Sequence, residues 1–495
     1  MFSVIKNVSK HTLIYGVGDM LAKGIGFLLI PLYTHYLSTE QYGTLELLDL
    51  TTYVVGLLLA MGIAQSVVRY YYEYEDEKRR GQVISVAMIT IWVITLSVLA
   101  FLILFSRNIS ELVFDSQDYY HFFNIIFITM IINLSNEIPM TVLRIEQKSV
   151  FFVSVSMSRL AVTLTLNIVF IVHFGMGIMG ILVAGLISSG LAGLFLTGYI
   201  LRRIRLSYSF KIMKAMLTYS VPLIGSWLGM FVLHFGDRFL LQRLDSLDSV
   251  GIYALAYKFG MMGNTLILTP FLMTWAPKRF EIVKQDDARD VFAHIFTYFF
   301  LVQLFVSLGI AVLIRDVIGI VAEEAYRSAY QYVPVILVAY IFYGAYSYVQ
   351  FGVLLEKKTK YLGISAMIIA VVNIVLNYLL IPRLQIWGVT LVTFCSFGLL
   401  VGAIFPFAQR FYHIPYQWGR LLHLAATAVG LFILAGFINP SSLALSLTLK
   451  FLIALSFPLV LFVTGFFTAT EKARMRSLWL KVRRKSKDPE VLEET

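Results

Sequence analysis

The sequence predicts an all-α integral membrane protein with about fourteen transmembrane helices, in two pseudo-two-fold-related six-helix bundles plus two C-terminal helices. Three observations lead there. Mean hydropathy is +0.79, and only 14% of the 495 residues are charged against 59% hydrophobic; an ordinary soluble domain carries about 25% charged residues. Apolar windows of about 19 residues, each long enough to cross a bilayer, recur from one end of the chain to the other. Lysine and arginine cluster in every second loop.

In order, the apolar windows fall near 12–31, 45–67, 82–105, 120–143, 151–173 and 178–201. A second set runs near 214–236, 250–273, 291–314, 330–354, 361–381 and 387–408, and two more lie near 420–438 and 446–468. Alternate loops hold most of the cations, among them Lys6, Lys10, Lys78, Arg79, Arg80, Arg144, Lys148, Arg202, Arg203, Arg205, Lys278, Arg279, Lys357 and Lys358. The intervening loops hold only Arg107, Arg238, Arg243, Arg315, Arg327 and Arg383. By the positive-inside rule the rich side is cytoplasmic, with both termini there. The formal charge of +11 follows from the same bias; no basic stretch interleaved with aromatics suggests a nucleic-acid partner. The single cysteine, Cys395, excludes an internal disulfide. The first span is full length with no small-residue cleavage site, and is expected to stay. Leu32–Thr44, rich in tyrosine, is expected along the outer interface, and the basic tail from Lys472 onward as an amphipathic helix on the inner leaflet.

The chain repeats itself. Ser38–Gly43 matches Ser246–Gly251, Glu73 matches Glu281, Glu146-Gln147-Lys148 matches Glu356-Lys357-Lys358, and Leu166-Asn167 matches Leu376-Asn377. Gly180-Ile181 matches Gly388-Val389. In one order over two sets of six helices, these matches indicate duplication. Six spans is an even number, so the copies are parallel, a plan that suits alternating access. The expected divisions are 1–208 and 209–412 for the two lobes, 413–469 for the last two helices and 470–495 for the tail.

Charges inside spans mark the candidate site, because a cation at mid-membrane costs at least ~2.5 kcal/mol unless it faces a partner or a wet cavity. Asp19 and Lys23 lie one helical turn apart in the first span. They are either a structural ion pair or an anion-binding lysine tuned by an acid. Lys258 lies about 10 Å inside the eighth span; it either snorkels outward or joins Lys23 in holding a phosphate. Arg159, amid Ser154, Ser156 and Ser158, is about three turns inside the fifth span. It either binds phosphate or pairs with Glu137. Pro139 bends the fourth span as a hinge, a gate or a capped kink. Glu46 and Asp49 read as a helix-start pair or a cation port. Asp237 and Arg238 are placed at the outer rim, and Asn167, Asn373 and Asn377 as interhelical glue. Enzymatic patterns are missing from the sequence: no H-E-x-x-H, no Walker A, no G-x-S-x-G.

Tyr15-Gly16, Gly26-Phe27, Pro31-Leu32-Tyr33-Thr34, Leu37-Ser38 and Tyr42-Gly43 together resemble the opening of Wzx-type polysaccharide flippases, members of the multidrug/oligosaccharidyl-lipid/polysaccharide exporter superfamily. The resemblance implies translocation of an undecaprenyl-pyrophosphate-linked oligosaccharide (O-antigen, capsule or exopolysaccharide repeat unit) across the bacterial cytoplasmic membrane. It implies no cofactor beyond a Na+ or H+ gradient. Lys23, Lys258 and Arg159 would meet the substrate, Asp19, Asp49 and Glu137 would couple or tune, and glycosyltransferases and a polymerase would be pathway partners. Lipid II flippases carry an adjacent Arg-Asp pair in the first helix; here Asp19 and Lys23 stand instead. A multidrug or cation antiporter, a lipid II flippase, and less readily a membrane glycan polymerase or acyltransferase are the alternatives.

Overall fold

Long apolar runs leave the backbone one way to satisfy its hydrogen bonds in hydrocarbon, and every element is accordingly helical among the described residues. The computed structural model describes residues 29–60, 62–220, 223–356, 358–438, 440–469 and 471–473. The elements are α1 (Thr39–Ala60), α2 (Ile63–Glu73), α3 (Glu77–Leu104), α4 (Ser106–Phe114), α5 (Tyr120–Ile145), α6 (Ser149–Ile168) and α7 (Gly177–Leu201). They continue with α8 (Phe210–Ser220), α9 (Leu223–Phe235), α10 (Asp237–Leu244), α11 (Leu247–Gly260), α12 (Thr269–Ile282) and α13 (Ala288–Val321). The last are α14 (Val333–Val349), α15 (Phe351–Leu355), α16 (Lys360–Leu384), α17 (Ile386–Phe411), α18 (Trp418–Gly436) and α19 (Leu443–Val463).

Eleven of the described helices are long and apolar enough to cross a membrane, which makes this a multi-pass membrane protein. They coincide with eleven of the expected spans. The first expected span, with Asp19 and Lys23, lies almost wholly outside the described residues, as does the tail beyond residue 473. In the span expected near 214–236 the described residues are helical, over α8 and α9. The one near 250–273 is broken into α11, a π-turn over Asn264–Leu268 and α12. Pro270 accounts for that break: it offers no N–H, and the Thr269 N–H reaches back five residues to the Asn264 carbonyl.

The chain forms two compact units. The first comprises residues 1–258, 318–336 and 359–400. In it α5 packs on α3 and α7, α6 on α7, and α9 on α1 and α16. Its core joins Val67, Val83, Ala87, Ile138, Val142 and Ile200. Interhelical bonds add to the packing: Asn373 Nδ2 donates to Ser396 Oγ at 2.9 Å, and Asn167 Nδ2 to Tyr33 Oη at 2.9 Å.

The second unit comprises residues 259–317, 337–358 and 401–495. Aromatic rings fill it: Trp275 stacks on Tyr348 at 5.1 Å and Phe271 on Phe299 at 4.4 Å. Each such pair contributes about 0.5–1.5 kcal/mol beyond its buried area. Lys450 of α19 donates to Asp316 of α13 at 2.8 Å, and Ser446 Oγ donates to the same carboxylate oxygen at 2.9 Å. This buried ion pair pins the last helix to α13.

The duplication is visible in the backbone of the first unit. Gly177, with φ of 54°, opens α7, and Gln385, with φ of 51°, opens α17; they are 208 residues apart, the spacing that separates Gly43 from Gly251. The left-handed conformation favours glycine, so Gln385 takes it because the hairpin between α16 and α17 demands it. The tyrosines of the stretch after Pro31 differ in exposure, Tyr36 being 44% exposed. Tyr42 is only 1% exposed and turns inward, because its hydroxyl has a buried partner to reach.

Candidate functional site

Helix α1 presents Tyr42, Glu46, Asp49 and Tyr53 at helical spacing, so four polar-tipped side chains share one face. The Lys258 ammonium of α11 donates to Tyr42 Oη at 2.7 Å and sits 4.7 Å from that ring's centroid. Glu46 and Asp49 are the carboxylates that act on it electrostatically. Lys258 is therefore turned into the bundle and does not snorkel. Asp49 is exposed on the same face, with no ion-pair partner among the described residues.

Arg238 of α10 is the largest fully buried side chain among the described residues, at 1% exposure. Its Nη1 donates to Asp237 Oδ1 at 2.7 Å and to the His234 carbonyl at 2.8 Å, while Nε lies 3.4 Å from Glu46 Oε1. Its guanidinium stands 3.9 Å from the ring centroid of Tyr257, 5.1 Å from that of Tyr253 and 5.3 Å from that of Phe235. Tyr253 donates to Asp237 Oδ2 at 2.8 Å, and Thr393 to the same oxygen at 3.2 Å. Asp237 and Arg238, expected at the outer rim, form a buried, aromatic-caged pair. A guanidinium deprived of water needs both a carboxylate and π-faces, and α11 supplies the latter at i and i+4.

Beside this cluster lies a pocket of about 490 Å³. Tyr53, Phe231, His234 and Phe235 line it together with Thr52 and Gly56. Tyr53 and Phe231 stack at 5.8 Å. The arrangement joins two cations, the carboxylates of Glu46 and Asp49 and an aromatic wall, all on α1, α9, α10 and α11. Chemically it can neutralise an anionic group, exchange a small cation at Asp49 and stack on a sugar or another flat apolar face.

The remaining sequence candidates stand elsewhere. Arg159 donates to Asn133 Oδ1 at 2.8 Å and to Ser189 Oγ at 2.9 Å; the alternative of an Arg159–Glu137 pair is not realised, because these neutral acceptors hold the guanidinium. Glu137 is half-buried and makes no ion pair among the described residues. Pro139 is buried in α5, which runs through it without a break. Asp19 and Lys23 lie outside the described residues. The sequence reading missed Arg238 as a site residue and Lys450–Asp316 altogether. An acid–base dipeptide followed by Tyr253 and Tyr257 was the available signal for the first.

No match is found among curated protein sequences. Solved structures do match. The chain is similar to a lipid II flippase, MurJ, in an inward closed conformation, with TM-score 0.71, 15% identity and coverage of 91% of this chain and 99% of that one. It is also similar to an inward-facing multidrug resistance MATE family transporter of the MOP superfamily, with TM-score 0.63, 14% identity and coverage of 78% and 94%. A Vibrio cholerae MATE transporter matches with TM-score 0.57, 14% identity and coverage of 82% and 97%. At these identities the likeness is one of fold. The sequence profile of the family described as polysaccharide biosynthesis protein matches residues 8–283, more than half of the chain. The chain belongs to the polysaccharide biosynthesis protein family and has the fold of MOP-superfamily transporters.

Proposed function

We propose that the protein is a flippase that carries an undecaprenyl-pyrophosphate-linked oligosaccharide from the cytoplasmic to the outer face of the bacterial inner membrane. The observation that carries this reading is the meeting of Lys258 with an acidic face of α1 beside an aromatic pocket, inside a chain of this family. Lys258, together with Lys23, neutralises the pyrophosphate, since an unpaired phosphate in a low dielectric is far costlier than one facing a lysine. The aromatic wall stacks on sugars. Asp49 takes up and releases Na+ or H+, so that an ion gradient biases alternation between inward- and outward-facing states. Both termini are cytoplasmic, and the glycosyltransferases and polymerase of the same pathway supply and consume the cargo.

The test is a deletion strain. A lipid-linked oligosaccharide should accumulate on the inner leaflet and disappear on complementation; an unchanged lipid-linked pool and normal surface glycan would refute the assignment. Exposed Asp49 favours one second reading, a cation-coupled drug antiporter. Resistance to cationic dyes that follows expression, with no change in glycan export, would select it.

A further inference from the structure

Arg159 lies ten residues past the start of α6, about 15 Å along the helix from the cation-rich loop at Lys148. At that depth its charge is compensated by neutral groups alone. Only Nη2 is engaged, by Asn133 and Ser189. Nε and Nη1 make no hydrogen bond with any protein group among the described residues, and neither is sealed from solvent access. A guanidinium held this way in a spanning helix keeps its charge and two unengaged donors, Nε and Nη1, each able to give a phosphate or carboxylate oxygen a charge-assisted hydrogen bond.

Those donors belong to a cleft of about 350 Å³ between α6 and α7. Ser154 and Ser158 flank Arg159, and Val155, Leu191 and Phe195 form apolar walls. Such a volume far exceeds one small anion, which leaves room for hydrocarbon. Leu191 and Phe195 are 55% and 54% exposed and share a face of α7 with Ile187 and Leu194, at 39% and 79%. A face made only of large exposed apolar side chains on a spanning helix is one that meets lipid chains. The cleft therefore opens sideways to hydrocarbon and ends on a half-satisfied guanidinium.

We propose that this cleft holds the phosphate of a prenyl-linked lipid at mid-membrane, with its chain lying against Val155, Leu191 and Phe195. A resting lipid of any kind keeps its phosphate at the interface, about 15 Å away; only a lipid carried across brings it to this depth. The proposal rests on the flippase reading and adds a second phosphate station, on the flank of α6 and α7.

Purified protein in detergent is tested by native mass spectrometry with undecaprenyl phosphate, phosphatidylglycerol and inorganic phosphate as separate probes. Undecaprenyl phosphate should be retained over the other two. Arg159→Gln should weaken retention about tenfold to a hundredfold, the range for losing a charge-assisted hydrogen bond. Leu191→Trp, which fills the cleft from its open side and spares the guanidinium's bonds, should do the same if Arg159→Gln fails to fold. Equal retention of phosphatidylglycerol, full displacement by equimolar inorganic phosphate, or unaltered binding by both variants overturns the proposal. Prenyl phosphate binding in a protein whose deletion leaves the lipid-linked pool unchanged would leave this cleft standing and remove the flippase reading.

Discussion

Gly43 and Gly251 meet where α1 crosses α11, each against the other helix's backbone. A Cβ on Gly43 would stand 2.0 Å from the Leu247 carbonyl oxygen, and one on Gly251 would stand 2.0 Å from that of Thr39. Thr39 and Leu247 are themselves 208 residues apart, as are the glycines. The contact is thus its own mirror: i touches j′ and i′ touches j, the signature of a two-fold relation. Only glycine permits backbones this close. Around it Thr39 Oγ1 donates to Asp248, and Tyr326 Oη donates to the Leu37 and Ser38 carbonyls at 2.9 and 2.8 Å.

A crossing this tight should act as a clasp between the two copies that transport must open. Gly43→Leu cannot keep it. In a Cys395→Ser background, a cysteine at Ser249 should react with a membrane-impermeant maleimide several-fold faster when Gly43→Leu is present, while membrane insertion is unchanged. Equal labelling rates would show that the clasp is not a moving part.

Tyr42 and Lys258 should be separable by degree. Lys258→Ala removes the cation and should abolish glycan export with protein still in the membrane. Tyr42→Phe keeps the cation and removes one acceptor, a loss of about 1 kcal/mol, so export should fall several-fold and persist. If Lys258→Ala exports normally, the lysine has no part in the cycle.

The spans and the duplication were legible because hydrocarbon forces both: a spanning helix must be continuously apolar, and a duplicated one keeps its special glycines. Lys258 was legible as an odd charge at depth, though its direction was not, since Tyr42 arrives from a helix more than 200 residues away. The surroundings of Arg238 were hidden for the same reason. Locally it ends a span, as a rim charge does; its burial depends on Tyr253 and Tyr257 from α11 and on Thr393 from α17. Asp316 and Lys450 are separated by 134 residues, and nothing in either neighbourhood points to the other. The break after Gly260 follows Pro270, whose effect on an apolar run is weak in hydropathy and strong in hydrogen bonding.

Arg238 should be the least tolerant position of the first unit. Removing one partner of a buried pair costs about 3–5 kcal/mol. Arg238→Ala should therefore lower the melting temperature in detergent or abolish accumulation. Arg238→Lys keeps the charge and loses the planar stacking on Tyr257, and should fall between that variant and the wild type. A melting temperature equal to wild type in Arg238→Ala would show that the cage is incidental.

The start of the C-terminal segment offers a pH-dependent contact. Thr468 and Glu471 form a reciprocal cap: the Thr468 N–H donates to Glu471 Oε2 at 2.8 Å and the Glu471 N–H to Thr468 Oγ1 at 3.3 Å. Arg420 grips the same carboxylate with bonds of 3.1 and 3.0 Å, and Tyr298 adds one of 2.7 Å. Burial alone raises the carboxyl's pKa, but the bonds from Tyr298, Thr468 and Arg420 outweigh it and hold it down at about 2. A depressed carboxyl stabilises the fold above its unfolded value, about 4.3, and that contribution drains away as pH falls toward 2. Glu471→Gln should therefore speed proteolytic release of the tail at pH 7 and pH 6 alike, with the difference from wild type narrowing only below about pH 4.3.

The Lys450–Asp316 pair gives the last test, and its logic is one of desolvation. Either charge alone, buried between α13 and α19, would lack its counterion, so Lys450→Met and Asp316→Leu should each destabilise by about 3–5 kcal/mol. The double variant buries no charge and replaces the pair by apolar bulk, which is neutral or stabilising in comparable settings. Its melting temperature should return close to that of the wild type. Should it melt no higher than the single variants, the pair would be contributing through geometry, with Ser446 as its third member, and α19 would be docked by directed hydrogen bonds that apolar packing cannot replace.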